Sequence, residues 1–300
     1  MRLATQTDSS FIALRPFSTL SLLPPQSLLS SSASLIVDPA LTFIATRVVR
    51  LEEYYELAWA NPEEVALLSS ITIGADPDWG KVHLFPVRWP VLVADEGQDL
   101  SEKRTLGRCG SFLKKRLTSL HGTQRALVPW EENPAFLAGR PYQINANIRI
   151  GRETQAGLLS LIDVNDHLMV RGLSHLLKTA MLKCMSRTFV DTACMELYVA
   201  MEATLEIILR KLRANGLRNP SNKDASDYLL QAVGASHRLD RYYEQYYEDR
   251  IKALHPNSRF GPASFTPLYV DDLYMLYDDL LGTIEFLITG SSRRHQGHRH

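Results

Sequence analysis

The sequence predicts a chain of two parts, an α+β module over residues 37–158 followed by an all-α helical bundle over residues 160–290. In the first part, short stretches rich in β-branched and aromatic residues alternate with helical stretches. In the second part, long stretches carry apolar residues at helical spacing, and the loops between them are rich in Pro, Gly, Asn and Ser. Several apolar-striped helices joined by such loops are typical of a helical bundle.

The two ends of the chain lack these patterns. Residues 1–36 are rich in serine, contain a single acidic residue, Asp8, and are interrupted by Pro16 and by Pro24-Pro25. We therefore expect a disordered extension there, with a transit-like segment or a start-codon artefact as the alternatives. Residues 291–300 are basic and are expected to form a disordered tail.

The α+β module is predicted from modest local signals. Asn61 and Pro62 open a helix as its N-cap and its first residue. A strand or a helix start is predicted at residues 42–49, helices at 51–60 and 111–120, and extended stretches at 81–89, 91–94 and 142–150.

The bundle is predicted from stronger signals. Its helices are expected over residues 164–185, 194–212, 225–233, 239–254 and 268–288. In the second of these, apolar residues follow the i, i+3, i+4, i+7 spacing of an amphipathic helix. We expect Asp191 to cap its start and Asn215-Gly216 to end it in a left-handed turn.

Composition narrows the classes of function. Lys plus Arg and Asp plus Glu each number 33, which argues against broad electrostatic capture of nucleic acid. No apolar run is long enough to span a bilayer, and the three cysteines form no CxxC pair. We therefore expect a cytoplasmic protein with no membrane contact, no DNA partner, no metal site and no cofactor.

One predicted helix, over residues 239–254, carries a charged residue on an apolar face. Four tyrosines and Leu254 share one stripe of this helix, and Arg250 falls near the centre of the stripe. Burying a guanidinium without a partner is costly, so Arg250 must meet a carboxylate, a second subunit or an anionic ligand. The candidate carboxylates within the chain are Glu196, Glu202 and Glu206.

The string Tyr247-Glu-Asp-Arg250-x4-His255 resembles the Arg-x4-6-His signature of HEPN domains. The position of a tyrosine three residues before the arginine is similar to the pattern of the Apea-like branch of the family, which is associated with abortive infection. The order of the predicted helices agrees, since two long helices and a shorter one precede the motif helix and another helix closes the bundle. The resemblance covers about 125 residues and none of the N-terminal half.

The resemblance implies a homodimeric, metal-independent RNA endonuclease of the defence or toxin type. Arg250 and His255 would be the catalytic residues, with Tyr247 and Glu202 in support. His255 would transfer the proton of an RNA 2′-hydroxyl, since an imidazole titrates near neutrality. Ile251 and Pro256 differ from the residues common in active members. A catalytically inert HEPN-like module that binds nucleotide or RNA or dimerises is therefore the alternative, with a plain helical interaction protein as a third interpretation.

Overall fold

A computed structural model describes most of the chain. The described residues are 11–17, 26–38, 41–48, 59, 61–74, 91–124, 152–185, 189–233, 239–254 and 270–296, and for some helical residues only the backbone is described. The predicted helix at 51–60 (apart from Trp59), the extended stretch at 81–89 and the strand at 142–150 lie outside these residues. The chain divides into two compact units, which we call the sheet unit (residues 1–67 and 82–154) and the helical unit (residues 68–81 and 155–300).

The sheet unit contains a five-stranded antiparallel sheet with the strand order β2-β3-β4-β1-β5. Of the two alternatives predicted at 42–49 the strand is confirmed as β4, and the extended stretch at 91–94 is confirmed as β5. The strands are β1 (Phe11–Phe17), β2 (Gln26–Leu28), β3 (Ala33–Val37), β4 (Thr42–Val48) and β5 (Val91–Ala94).

The expectation of a disordered extension over residues 1–36 is wrong where the structure describes it, because β1, β2 and most of β3 lie there. Pro16 is compatible with β1 because, among the described residues, β5 pairs only with residues 11–14, which gives Pro16 one described neighbouring strand rather than two. Ser34 is fully buried, and its hydroxyl donates to the carbonyl oxygen of Leu100 at 2.8 Å. Pro16 and Ser34 are thus accommodated by the sheet.

Two helices follow strands β4 and β5 in the chain, and the first of them has its last residues in the helical unit. Helix α1 (Pro62–Gly74) begins as predicted, since Oδ1 of Asn61 accepts the backbone N–H of Glu64 at 2.9 Å. Helix α2 (Lys103–Gln124) is longer than the predicted helix at 111–120 and packs on one face of the sheet. The core between the sheet and α2 combines four sheet residues with four from α2 and the loop before it: Ile12, Leu14, Phe43, Ala45, Leu100, Leu106, Cys109 and Leu113.

The described part of the helical unit is all-α. Its helices are α3 (Arg152–Leu161), α4 (His167–Met185), α5 (Val190–Ala214), α6 (Asn222–Val233), α7 (Tyr242–Leu254), α8 (Val270–Thr289) and α9 (Arg293–Gln296). The order of helices α4 to α8 agrees with the prediction. Helices α4 and α5 make the most extensive contact, and Gly172 lets them approach closely, since an added Cβ would lie 3.4 Å from that of Ala203. Gly216 ends α5 with a φ of 93°.

The expected capping role of Asp191 is wrong. Helix α5 begins at Val190, and the residue before it, Phe189, makes no capping hydrogen bond with its side chain. Asp191 lies inside the first turn instead. A carboxylate there still interacts favourably with the positive end of the helix dipole, which explains why an acidic residue suits this position.

The C-terminal residues pack against α8. His295 is only 5% exposed, and an added Cβ on Gly282 would lie 2.6 Å from its Nε2, so the glycine leaves room for the imidazole ring. The carboxylate of Glu285 accepts the backbone N–H of Arg293 at 3.1 Å and its guanidinium at 2.5 Å. The expectation of a disordered tail over 291–300 is therefore wrong for residues 291–296.

Candidate functional site

The first half of α7 is anchored by buried tyrosines. Tyr243 is fully buried, and its hydroxyl donates to Oγ1 of Thr204 on α5 at 3.1 Å. The hydroxyl of Thr204 in turn donates to the carbonyl oxygen of Met201 at 2.7 Å. Tyr243 is therefore held by packing and by a chain of hydrogen bonds that satisfies its polar end.

Tyr246 repeats this arrangement one turn later. Its hydroxyl donates to the carbonyl oxygen of Tyr198 at 2.8 Å, and the two rings are tilted by 46° with centroids 5.6 Å apart. Tilted aromatic pairs at this separation are favourable beyond the area that they bury. The two contacts fix both the rotation and the height of α7 against α5.

A third helix secures the start of α7. The Oγ of Ser226 on α6 accepts the backbone N–H of Tyr243 at 3.1 Å. This N–H belongs to the first turn of α7, where the helix itself supplies no acceptor. Arg241, directly before the helix, adopts a φ of 56°, a conformation that is uncommon for a residue with a side chain.

The buried phenols of α7 stay protonated near neutral pH. Burial raises the pKa of Tyr242 well above its usual value, and it also raises the pKa of Tyr243. A phenol in this environment cannot act as a base at neutral pH. We therefore assign these two tyrosines to the stability of the bundle and not to proton transfer.

Tyr247 behaves differently from the other three tyrosines. Its side chain is 47% exposed, whereas Tyr242, Tyr243 and Tyr246 are 4%, 0% and 3% exposed. The prediction that all four share one buried stripe is therefore wrong for Tyr247. At 100° per residue it lies about 40° beyond Tyr243, at the margin of the stripe.

The structure places the predicted catalytic residues only in part. Arg250 belongs to the last turns of α7, and its side chain is outside the described residues. His255 comes directly after Leu254, the end of α7, and also lies outside them. Glu202 is exposed on α5.

The other two carboxylates proposed as partners of Arg250 are engaged elsewhere. Glu196 accepts from His175, and its Oε2 lies 3.8 Å from Nζ of Lys178. Glu206 lies 3.8 Å from the guanidinium of Arg213 on the surface of α5. Both carboxylates therefore have basic partners other than Arg250.

The sequence reasoning missed a histidine–carboxylate pair between α4 and α5. Nδ1 of His175 lies 2.5 Å from Oε2 of Glu196, with both side chains about one-fifth to one-quarter exposed (20% and 24%). Burial, together with the nearby cations Lys178 and Arg171, lowers the pKa of His175, although the Glu196 carboxylate acts in the opposite direction. The ring is therefore neutral at pH 7 and donates from Nδ1. The 21-residue separation gave no motif, although the paired helical stripes of α4 and α5 bring the two residues to the same level.

Comparison of the chain with family profiles, curated proteins and solved structures finds no significant match. Among the described residues, no group of three or more His, Cys, Asp or Glu side chains is placed to hold a metal ion. Within that same part of the chain, none of the helices combines the length and the apolar character needed to cross a membrane.

Proposed function

We propose that this protein is a HEPN-type RNA endonuclease that acts as a homodimer without a metal ion. One observation carries the proposal: a helix anchored by buried tyrosines in its first half carries Arg250 in its last turns, and His255 follows its final residue. Arg250 is seven residues after Tyr243 and four after Tyr246, spacings that keep positions on one face of an α-helix.

The order of the helices supports the same proposal. The long pair α4 and α5 precedes the shorter α6, the motif helix α7 and the closing helix α8, which is the order that the resemblance implies. Contacts of α5 with α6, α7 and α8 make it the central helix of this group. The motif is thus carried by a helix that the bundle holds in one orientation.

The proposed chemistry needs one group that transfers a proton and one permanent cation. The His255 imidazole would take the proton of an RNA 2′-hydroxyl, which then attacks the adjacent phosphorus. The bond from phosphorus to the 5′-oxygen of the next nucleotide breaks, and this oxygen leaves with the proton that the imidazolium returns. The Arg250 guanidinium would stabilise the negative charge that develops on the phosphate oxygens. The products would be a 2′,3′-cyclic phosphate and a 5′-hydroxyl.

Tyr247 and Glu202 would support these two residues. The exposed Tyr247 is one helical turn before Arg250, so its ring is accessible to a base or to a second subunit. Glu202 would orient the guanidinium as its carboxylate partner. The equal numbers of acidic and basic residues imply that RNA is held by this local site rather than by a broad basic face.

The second candidate is an inert module with the same architecture that binds RNA or nucleotide or dimerises through α7. The apolar Ile251 beside Arg250 and the proline after His255 favour it, since both differ from the pattern of active members. A plain helical interaction protein is the third candidate, and it requires Arg250 to be neutralised within its own chain.

An RNA cleavage assay in EDTA tests the proposal. The wild-type chain should cut end-labelled RNA and leave 2′,3′-cyclic phosphate ends, while Arg250→Ala and His255→Ala should lose at least roughly a hundredfold in rate. Arg213→Ala is the matched control, because it removes an exposed arginine of α5. Circular dichroism confirms that each variant is folded. Equal cleavage by all four proteins would exclude these residues from the reaction, and RNA binding without cleavage would favour the inert module.

A further inference from the structure

The sheet unit contains an open groove of about 770 Å³ between α2 and the β2-β3-β4 side of the sheet. This volume is within the range of sites that hold small molecules. The strand β3 and the residues after it contribute Ile36, Asp38 and Leu41 to its lining, and α2 contributes Lys103, Leu106 and Gly107. Every lining residue belongs to the sheet unit, whereas the residues proposed to cleave RNA belong to the helical unit.

One face of α2 forms a wall of the groove. Lys103, Gly107, Gly110 and Lys114 are spaced by four, three and four residues, which places them along one face. At 1.5 Å per residue the two lysines are separated by about 16 Å along the helix. A Cβ added to Gly107 would meet no atom within 4 Å. The missing side chain therefore leaves open space between the lysines.

The opposite wall is largely apolar at its surface. Both the amide nitrogen and the amide oxygen of Gln26 are shielded from solvent. The side chains of Ile36 and Leu41 therefore provide the apolar contact that this wall offers to a ligand.

We propose that this groove binds a small amphipathic monoanion, with an apolar body and one carboxylate or sulfonate group. The apolar body would lie on Ile36, Leu41 and Leu106, across the bare face of Gly107. The anionic group would bind Lys103 at the start of α2. The carboxylate of Asp38 also lines the groove and would repel a second negative charge, so the site fits a monoanion better than a polyanion.

The fluorescent sulfonate 8-anilinonaphthalene-1-sulfonate is a suitable probe for the full-length chain. We expect the probe to bind saturably and decanoate to displace it. Decanol has the same alkyl chain without a charge, and we expect it to compete at least roughly fivefold more weakly than decanoate. Gly107→Leu should weaken binding about tenfold or more by filling the groove, and Lys103→Gln about fivefold by removing the cation. Leucine is a better helix former than glycine, so we expect Gly107→Leu to remain folded.

Two controls match these variants. Gly157→Leu places a side chain in open space on α3, and Lys115→Gln removes an exposed lysine of α2 that does not line the groove. Both should bind the probe like the wild type. Equal binding by Gly107→Leu and Gly157→Leu, equal competition by decanol and decanoate, or an absence of saturable binding would each overturn the proposal. If Gly107→Leu does not fold, the comparison of Lys103→Gln with Lys115→Gln decides.

Discussion

Two groups of residues on α7 differ in how the protein uses them. Tyr242, Tyr243 and Tyr246 are buried, and two of their hydroxyls have defined acceptors on α5. Tyr247 is about half exposed and Glu248 is also exposed. Within the first two turns of the helix, the buried tyrosines therefore anchor α7 and fix its orientation, while the exposed residues leave part of its surface open.

The largest expected effect tests the buried tyrosines. Tyr243→Ala removes a fully buried ring, and we expect the free energy of unfolding to fall by about 3–5 kcal/mol. Tyr247→Ala removes an exposed tyrosine of the same helix and should change that free energy by about 0.5 kcal/mol or less. Urea unfolding followed by circular dichroism measures both. Similar losses in the two variants would remove the distinction between the buried and the exposed tyrosines.

A smaller effect isolates one hydrogen bond of the anchor. Tyr246→Phe keeps the ring and removes the hydroxyl that bonds to the carbonyl of Tyr198. We expect a loss of about 1 kcal/mol in the free energy of unfolding, because a buried acceptor loses its donor. The same urea titration measures it, with Tyr247→Phe as the control. A loss in the control as large as that in Tyr246→Phe would contradict the assignment.

The smallest effect concerns the helix pair that supports the anchor. Burial lowers the pKa of His175, so the folded state binds fewer protons than the unfolded state just below the ordinary histidine pKa of about 6.5. Stability should therefore fall as the pH drops from about 6.5 through the lowered folded-state pKa. His175→Gln should show a flatter dependence than the wild type in thermal melts between pH 7 and pH 5. Identical slopes would show that His175 does not contribute.

The sequence predicted the helical unit far better than the ends of the chain. Helices α4, α5 and α8 have long apolar stripes, and a periodic pattern over many residues predicts a helix even where a few residues do not fit it. Strand β1 was missed because Pro16 and the surrounding serines resemble a loop locally. The pairing of β1 with β4 and β5 joins residues that are 25 to 83 positions apart, which a local pattern cannot reveal.

The candidate site was predicted only in part from the sequence. The spacing of the tyrosines indicated the buried face of α7, but the exposure of Tyr247 depends on how far around the helix its packing extends. The pairing of His175 with Glu196 depends on the register between two helices. Neither property is encoded in the period of a single helix, since both arise when separate elements pack together.

The central claim is that the first half of α7 stabilises the fold and that its end carries the chemistry. A paired measurement on Tyr246→Phe and His255→Ala tests it most directly, with unfolding by urea and RNA cleavage in EDTA recorded for each protein. We expect Tyr246→Phe to lose about 1 kcal/mol of stability and to keep its cleavage rate, and His255→Ala to stay folded and to lose cleavage. Cleavage that persists in His255→Ala, or that falls equally in both variants, would contradict the account.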